Sequence, residues 1–359
     1  MSFIGKCIIK NNHEDISDIH IRENEFIYIR KNGLLVKTDL MAKLNYIQEF
    51  FEEIDVDFEK ILKKLNINKQ VDFSFELREL GKRSRANIFF SMDRICVVIR
   101  LIKDNIDNLK ALNISLKESD LSNFSSGLVF VTGPTGSGKT STLAAIIEYI
   151  NQNENKHIIC LEDPIEYTYI SKKSLITQVE VKNDSKDFKE ALKSSLRQDP
   201  DIIVIGEIRD QNTLLTCLRA AESGHLCFCT LHTLGVASCV ERVANMIDIR
   251  YISNMYFQIS KLTRCIMSQQ LILTNYGERV PVIEFANIDR SLENLIREGK
   301  LNQIQAYILT NKNMISMDKE LLKLYENRII SKKCLIRHCV DYDFIVSRLR
   351  KNGVDSLDI

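Results

Sequence analysis

The sequence predicts an α/β protein in two parts. A small α+β domain covers residues 1–104, and a larger domain from Gly127 onward alternates strands with helices. Three observations carry that prediction. The stretch Gly127 to Asn151, GLVFVTGPTGSGKTSTLAAIIEYIN, reads as buried strand, glycine-rich loop and helix in immediate succession. Beyond it, short apolar runs keep alternating with segments of helical spacing, the pattern of a mostly parallel sheet covered by helices. The chain has 359 residues, more than a single domain of common size encloses.

Within the first part, EFIYIRKNGLLV (25–36) has two β-rich halves around Asn32-Gly33, a hairpin turn signal. Leu40, Leu44, Ile47, Phe51 and Ile54 repeat at helical spacing, and Phe58, Ile61, Leu62 and Leu65 predict a second helix. Val71, Phe73, Phe75 and Leu77 alternate strictly, as in a half-buried strand. Gly81 to Ser84 reads as a turn, with further strands over 86–90 and 95–102. Residues 105–126 are polar and rich in Asn, Ser and Asp, and are read as a linker with a short helix near 106–112.

In the second part, Leu128 to Val131 is an apolar strand and Gly133-Pro134-Thr135-Gly136-Ser137-Gly138-Lys139-Thr140 matches G-x-x-x-x-G-K-[ST]. The glycines let backbone N–H groups approach phosphate oxygens, and the following helix N-terminus adds partial positive charge. Lys139 supplies a point charge for the β- and γ-phosphates, Thr140 a hydroxyl for Mg²⁺, and Ser141 completes the nucleotide-binding stretch. The chain is therefore expected to bind a nucleoside triphosphate. Strands are predicted at 157–161, 175–181, 201–206 and 225–231, and helices at 188–197, 214–221 and 236–246. Beyond Asn254 the pattern is mainly helical, interrupted by one strand at 280–285. Further helices are expected near 291–298, 301–310, 317–326 and 331–350.

Bulk composition narrows the function classes. With 45% hydrophobic and 27% charged residues the chain reads as soluble and globular, and a formal net charge of +1 argues against a broad nucleic-acid footprint. No apolar run approaches the roughly 18 residues of a membrane span. The opening MSFIGKCIIKNNHEDISD turns polar too early for a secretory signal. A cytoplasmic location without membrane insertion is expected. The ten cysteines are scattered and no C-x-x-C occurs. Cys334, His338 and Cys339 lack a fourth ligand nearby, so buried reduced thiols and no zinc are expected.

Candidate catalytic groups lie at strand ends, where open α/β sheets hold their ligands. Glu207 follows the apolar run IIVIG and is placed to polarise a water for in-line attack. Residue 206 is Gly, so metal binding shifts onto Thr140 and the acids Glu162 and Asp163, with Glu162 a candidate metal ligand. His232 ends the strand HLCFCTL and is a candidate γ-phosphate sensor, whereas His225 starts that strand at the opposite edge. Arg85, Arg94 and Arg100 in the first domain are either a solvated strand face or positive charge offered to a neighbour's nucleotide, as arginine fingers do.

These residues resemble the type II/IV secretion and pilus ATPase family, a branch of hexameric motors. Ser17-Asp18-Ile19-His20-Ile21 is similar to the family's early element, and GLVFVTGPTGSGKTSTLAA to its Walker A segment. Leu161 to Tyr167 is similar to its Asp box. Leu196 to Asp201 with Gly206 to Asp210 resembles its atypical Walker B, and Ala220 to Thr233 its His box. The resemblance implies a PAS-like first domain, a RecA-like ATPase core over 127–290, a helical C-terminal region over 291–359, and a homohexamer with nucleotide between neighbours. It implies ATP and Mg²⁺ as cofactors, Arg85, Arg94 and Arg100 acting in trans, and a place on the pilus machinery's platform protein at the inner face of the membrane.

Within the family the short first domain and the lack of a four-cysteine insertion favour retraction motors. So does LENLIREGK (292–300), with Ser291 and Glu293 departing from the pattern as Ala and Arg replacements. An assembly or type II secretion ATPase is the second reading, and a nucleic-acid translocase a distant third.

Overall fold

The computed structural model describes residues 16–31, 34–77, 82–102 and 105–351. The chain divides into two compact units, Met1–Asn105 with Glu166–Thr168, and Ile106–Ile165 with Tyr169–Ile359. The Asn32-Gly33 turn and Gly81 lie outside the described residues.

The first unit is an antiparallel six-stranded sheet in the order β3-β2-β1-β6-β5-β4. Its strands are β1 (Ile16–Arg22), β2 (Glu25–Lys31), β3 (Leu34–Ala42), β4 (Gln70–Leu77), β5 (Lys82–Ser91) and β6 (Arg94–Leu101). Strand alternation sends Ile19, Ile21, Ile27, Ile29, Ile88, Val97 and Ile99 to one face. There they form a core with the helices α1 (Leu44–Glu53) and α2 (Phe58–Asn68). Phe50 meets Phe75 edge-on at 5.5 Å, a geometry the ring quadrupole favours. Leu40 is a correction, because it belongs to β3 and the helix begins only at Leu44. Pairing of β3 with β2 outweighs the helical spacing, which Leu40 shares by coincidence.

The second unit is built on a seven-stranded sheet, ordered β13-β12-β7-β11-β10-β8-β9. These strands are β7 (Gly127–Thr132), β8 (His157–Glu162), β9 (Leu175–Glu180), β10 (Ile202–Ile205), β11 (Leu226–Leu231), β12 (Thr263–Leu273) and β13 (Arg279–Asn287). All are parallel to their neighbours except β13, which runs antiparallel to β12. The first helices are α3 (Ser119–Ser122), α4 (Lys139–Asn153), α5 (Phe188–Ser195), α6 (Gln211–Glu222), α7 (Val236–Ala244) and α8 (Ile252–Leu262). The C-terminal part holds α9 (Arg290–Arg297), α10 (Leu301–Thr310), α11 (Met317–Glu326), α12 (Lys332–His338) and α13 (Tyr342–Lys351). The sheet is covered on both sides, by one cluster that includes Leu214, Val240 and Ile259 and another that includes Leu143, Ile146 and Ile150.

Four expectations are corrected here. The long strand β12 occupies a stretch read as helical, since its residues are buried on both faces and so show no alternation. No helix forms at 106–112. The 106–126 stretch is not an open tether either, since Leu109, Ile114 and Leu121 are buried in the second unit's core. The helix expected over 331–350 breaks at 339–341, where the buried Asp318 accepts the Val340 and Asp341 N–H groups at 2.7 and 2.9 Å. A side-chain acceptor taking two consecutive amides competes directly with helix continuation.

Candidate nucleotide site

All six residues of β7 are buried, so the strand delivers the chain to Gly133 at its C-terminal end. Gly133, Gly136 and Gly138 all have positive φ, of 147°, 79° and 86°, and Gly138 caps the start of α4. The loop closes on Lys139, whose buried Nζ donates to Gly133 O at 2.6 Å and Pro134 O at 3.0 Å. The ammonium therefore sits inside the loop's own curve, beside the free N–H end of the helix, as an anion site requires.

Parallel pairing brings the neighbouring strand ends to the same edge. β10 pairs with β8 on one side and β11 on the other, and β11 pairs with β7. Glu162 ends β8, Glu207 follows β10 by two residues, and His232 follows β11 directly. His232 Nε2 lies 3.2 Å from Glu207 Oε1, and its Nδ1 lies 3.4 Å from Thr135 Oγ1 in the loop. A neutral ring with its proton on Nε2 satisfies both contacts, donating to the carboxylate and accepting from the hydroxyl. The structure thus links His232 to the loop and to Glu207, which strand position alone did not reveal.

The acids are held by cations that the sequence reading did not single out. Arg209 Nε donates to Glu207 Oε2 at 2.7 Å and Nη1 approaches Asp163 at 3.8 Å. Lys182 pairs with Asp163 at 2.7 Å, and Gln178 donates to Glu162 at 3.1 Å. Glycine at 206 has a packing reason. Its N–H donates to Leu161 O, and a Cβ there would sit 3.1 Å from that oxygen. An Asp at that position would need β8 and β10 to separate. His225 lies at the opposite edge, where its carbonyl accepts the N–H of Gly127.

Gln269 on β12 was also missed. Its buried amide donates to Ser137 O at 2.8 Å and accepts from Thr142 Oγ1 at 2.7 Å, so it touches both the loop and the helix that follows. Gln269, between Ser268 and Gln270, carries no motif, so only the strand pairing reveals it.

Among the described residues no group of three or more His, Cys, Asp or Glu is placed to hold a metal ion. Mg²⁺ uses one or two carboxylates together with substrate phosphates rather than an all-protein cage. Thr140 and one of the strand-end acids are the oxygen donors present for it. Cys334, His338 and Cys339 face other partners. Cys334 Sγ points at Leu273 O, Cys339 Sγ at Ile336 O, and His338 Nδ1 meets Gln270 Oε1 at 3.0 Å.

Arg85, Arg94 and Arg100 lie in the first unit. Arg85 pairs across β5–β6 with Arg100, and Arg94 shares the strand parity of Arg100, so all three lie on the face opposite the α1–α2 core. Arg100 Nε donates to Asp18 at 2.9 Å, and Arg94 pairs with Glu25 at 3.1 Å. Burial opposes ionisation of Asp18, but hydrogen bonds from Arg100 and Ser17 outweigh it and hold the carboxyl below its ordinary value. Arg30 also approaches Asp18, at 3.9 Å, so one carboxylate serves more than one arginine and the face keeps a positive surplus.

The chain is similar to proteins of known family and structure. The family described as Type II/IV secretion system protein matches residues 2–279. The chain is 39% identical to a twitching motility protein of Neisseria gonorrhoeae, over 75% of this chain and 73% of that one. It is 36% identical to the type IV pilus retraction ATPase PilT of Pseudomonas aeruginosa, over 88% and 92%. A solved structure of the pilus retraction motor PilT with bound ADP superposes with a TM-score of 0.87 at 35% identity, covering 96% of this chain and 98% of that one.

Proposed function

That the chain belongs to the Type II/IV secretion system protein family is the premise from which we propose its function: a hexameric ATPase motor that powers type IV pilus retraction. The observation that carries the catalytic part is the convergence of the phosphate loop, Glu207 and His232 at one edge of the sheet. Similarity to retraction proteins over nearly their full length supports the retraction part.

In this reading the loop 133–141, through backbone N–H groups beyond Pro134, and the Lys139 ammonium bind the phosphates of ATP, and Thr140 with Glu162 would hold Mg²⁺. Bound there, Mg²⁺ would offset charge developing on the phosphates. Glu207 accepts a hydrogen bond from the attacking water and aligns it with the γ-phosphorus. His232, bridging Thr135 and Glu207, reports the γ-phosphate to the carboxylate. Arg209 neutralises Glu207 before substrate arrives, and Asp163 holds Arg209 and Lys182 nearby. The first unit is read as PAS-like and the second as RecA-like. Arg85, Arg94 and Arg100 are read as charge given to a neighbour's phosphates, which their surplus over Asp18 favours. The partners are five further copies of this chain and the membrane-embedded pilus platform protein, placing the motor at the cytoplasmic face of the inner membrane. No helix among the described residues is long and apolar enough to cross a membrane.

The departure at Glu293 fits this reading, since Lys261 pairs with it at 2.6 Å within the same chain. The pair is partly exposed and worth little to stability, so the reversal changes surface charge rather than fold.

The test is Glu207→Gln in the cell of origin. Retraction predicts abundant surface pili without twitching, because assembly continues unopposed. Cells without pili would overturn retraction in favour of an assembly motor.

A further inference from the structure

We propose that Gln269 is a positioning residue that sets the orientation of the phosphate loop for nucleotide binding. It lies on β12, outside every motif, and is buried with 3% of its surface exposed. Its side chain makes one hydrogen bond to the loop and one to the helix. Nε2 donates to Ser137 O at 2.8 Å, and Oε1 accepts from Thr142 Oγ1 at 2.7 Å.

The consequence follows from peptide geometry. In a trans peptide the C=O of one residue and the N–H of the next point in opposite directions. Anchoring Ser137 O on β12 therefore turns the Gly138 N–H away from the sheet, toward the mouth of the loop. That N–H, at the positive end of α4, is one of the donors an anion would meet. Without the Gln269 amide the Ser137–Gly138 peptide has no fixed partner on the strand side and is free to rotate its N–H inward. The second bond, to Thr142, ties the same side chain to the first turn of α4, so Gln269 sets loop and helix relative to one strand.

Two of the loop's glycines are fitted around this residue. A Cβ on Gly133 would lie 2.1 Å from Gln269 O, and a Cβ on Gly138 would lie 2.9 Å from Gln269 Nε2. The neighbouring Ser268 Oγ accepts Gly235 N–H at 2.8 Å, so β12 braces the turn after His232 in the same way. Gln269 touches no reacting atom and acts through the loop.

The inference rests on the reading of this loop as the nucleotide site, and the experiment separates the two. ADP affinity, KM and kcat for ATP, and the apo melting temperature are measured on the full chain for the wild type, Gln269→Met and Thr142→Val. Met keeps the volume but makes neither hydrogen bond, and Val removes only the helix-side bond. Gln269→Met is expected to raise the ADP Kd and the ATP KM about tenfold, with kcat within threefold, because bound nucleotide re-forms the loop. Thr142→Val is expected to stay within threefold in both. Gln269→Met binding as the wild type does, or the two variants losing affinity equally, would overturn the inference. Should the Met variant fail to fold, Gln269→Asn, too short to reach both partners, is held to the same tenfold criterion. Wild-type protein that binds no ADP would refute the site itself rather than the role of Gln269.

Discussion

Replacing Gly133 and Gly136 separately by Ala distinguishes two reasons for a glycine in the same loop. Both have positive φ, and holding an Ala there costs about 1–3 kcal/mol in either case. Their surroundings differ. At Gly136 an added Cβ meets nothing within 4 Å. At Gly133 it lies 2.1 Å from the Gln269 carbonyl oxygen, where ordinary contact begins at 3.4 Å, so 3.4 − 2.1 = 1.3 Å of separation must be created. The obstacle is strand backbone, paired at Gln269 with Ile283 of β13 and anchored to β7 as far as Ser268, which gives little. Overpacking of this kind adds about 1–3 kcal/mol. Gly133→Ala should therefore exceed Gly136→Ala by that amount, roughly a 5- to 150-fold difference in an equilibrium constant. The assay is urea denaturation followed by circular dichroism, with ADP titration on the folded variants. Equal losses would show that conformation alone governs both positions and that β12 does not press on the loop.

Lys139→Ala should abolish detectable ATP binding in an equilibrium assay. Glu207→Gln should bind ATP normally and lower kcat by about 10²–10⁴-fold in a phosphate-release assay, the span of a lost general base. Arg100→Ala and Lys139→Ala subunits, each inactive alone, should recover ATPase activity on mixing, because some interfaces then pair an intact Arg100 with an intact Lys139. If both variants form rings and mixing restores nothing, the arginine does not act in trans. A last expectation concerns pH. Burial pushes the Glu284 carboxyl above its ordinary value of 4.5, against hydrogen bonds from Val236 N–H and Gln305 that favour the ionised form. The folded chain then holds this proton to a higher pH than the unfolded chain does. The group's contribution is fully present below about pH 4.5 and lost as pH rises through the folded value. Urea midpoints of the wild type should fall relative to Glu284→Gln from about pH 4.5 upward, and parallel profiles would refute the shift.

Sequence alone determined the parts of this protein whose physics is local. The glycine spacing of 133–138 with Lys139 specifies an anion-binding turn wherever it occurs, because backbone freedom and one ammonium suffice. The strands of the central sheet were legible as unbroken apolar runs, and their shared direction put Glu162, Glu207 and His232 at one edge. Tertiary structure decided whatever depends on a partner distant in the chain. Strand β12 is polar enough at Ser268, Gln269 and Gln270, and buried enough on both faces, that no period marks it. It is a strand because β7 and β13 pair with it. Leu109, Ile114 and Leu121 sit in a polar stretch whose composition suggested a tether, and only the sheet they pack against makes them core. The break at 339–341 exists because Asp318, more than twenty residues away, takes two amides from the helix. The same holds in the site. Lys182 and Gln269 belong to it through distances of 2.7 and 2.8 Å across different elements, and Arg209 through its 3.8 Å approach to Asp163. Such contacts form only after the sheet has brought its strand ends together, and no window of sequence contains both partners.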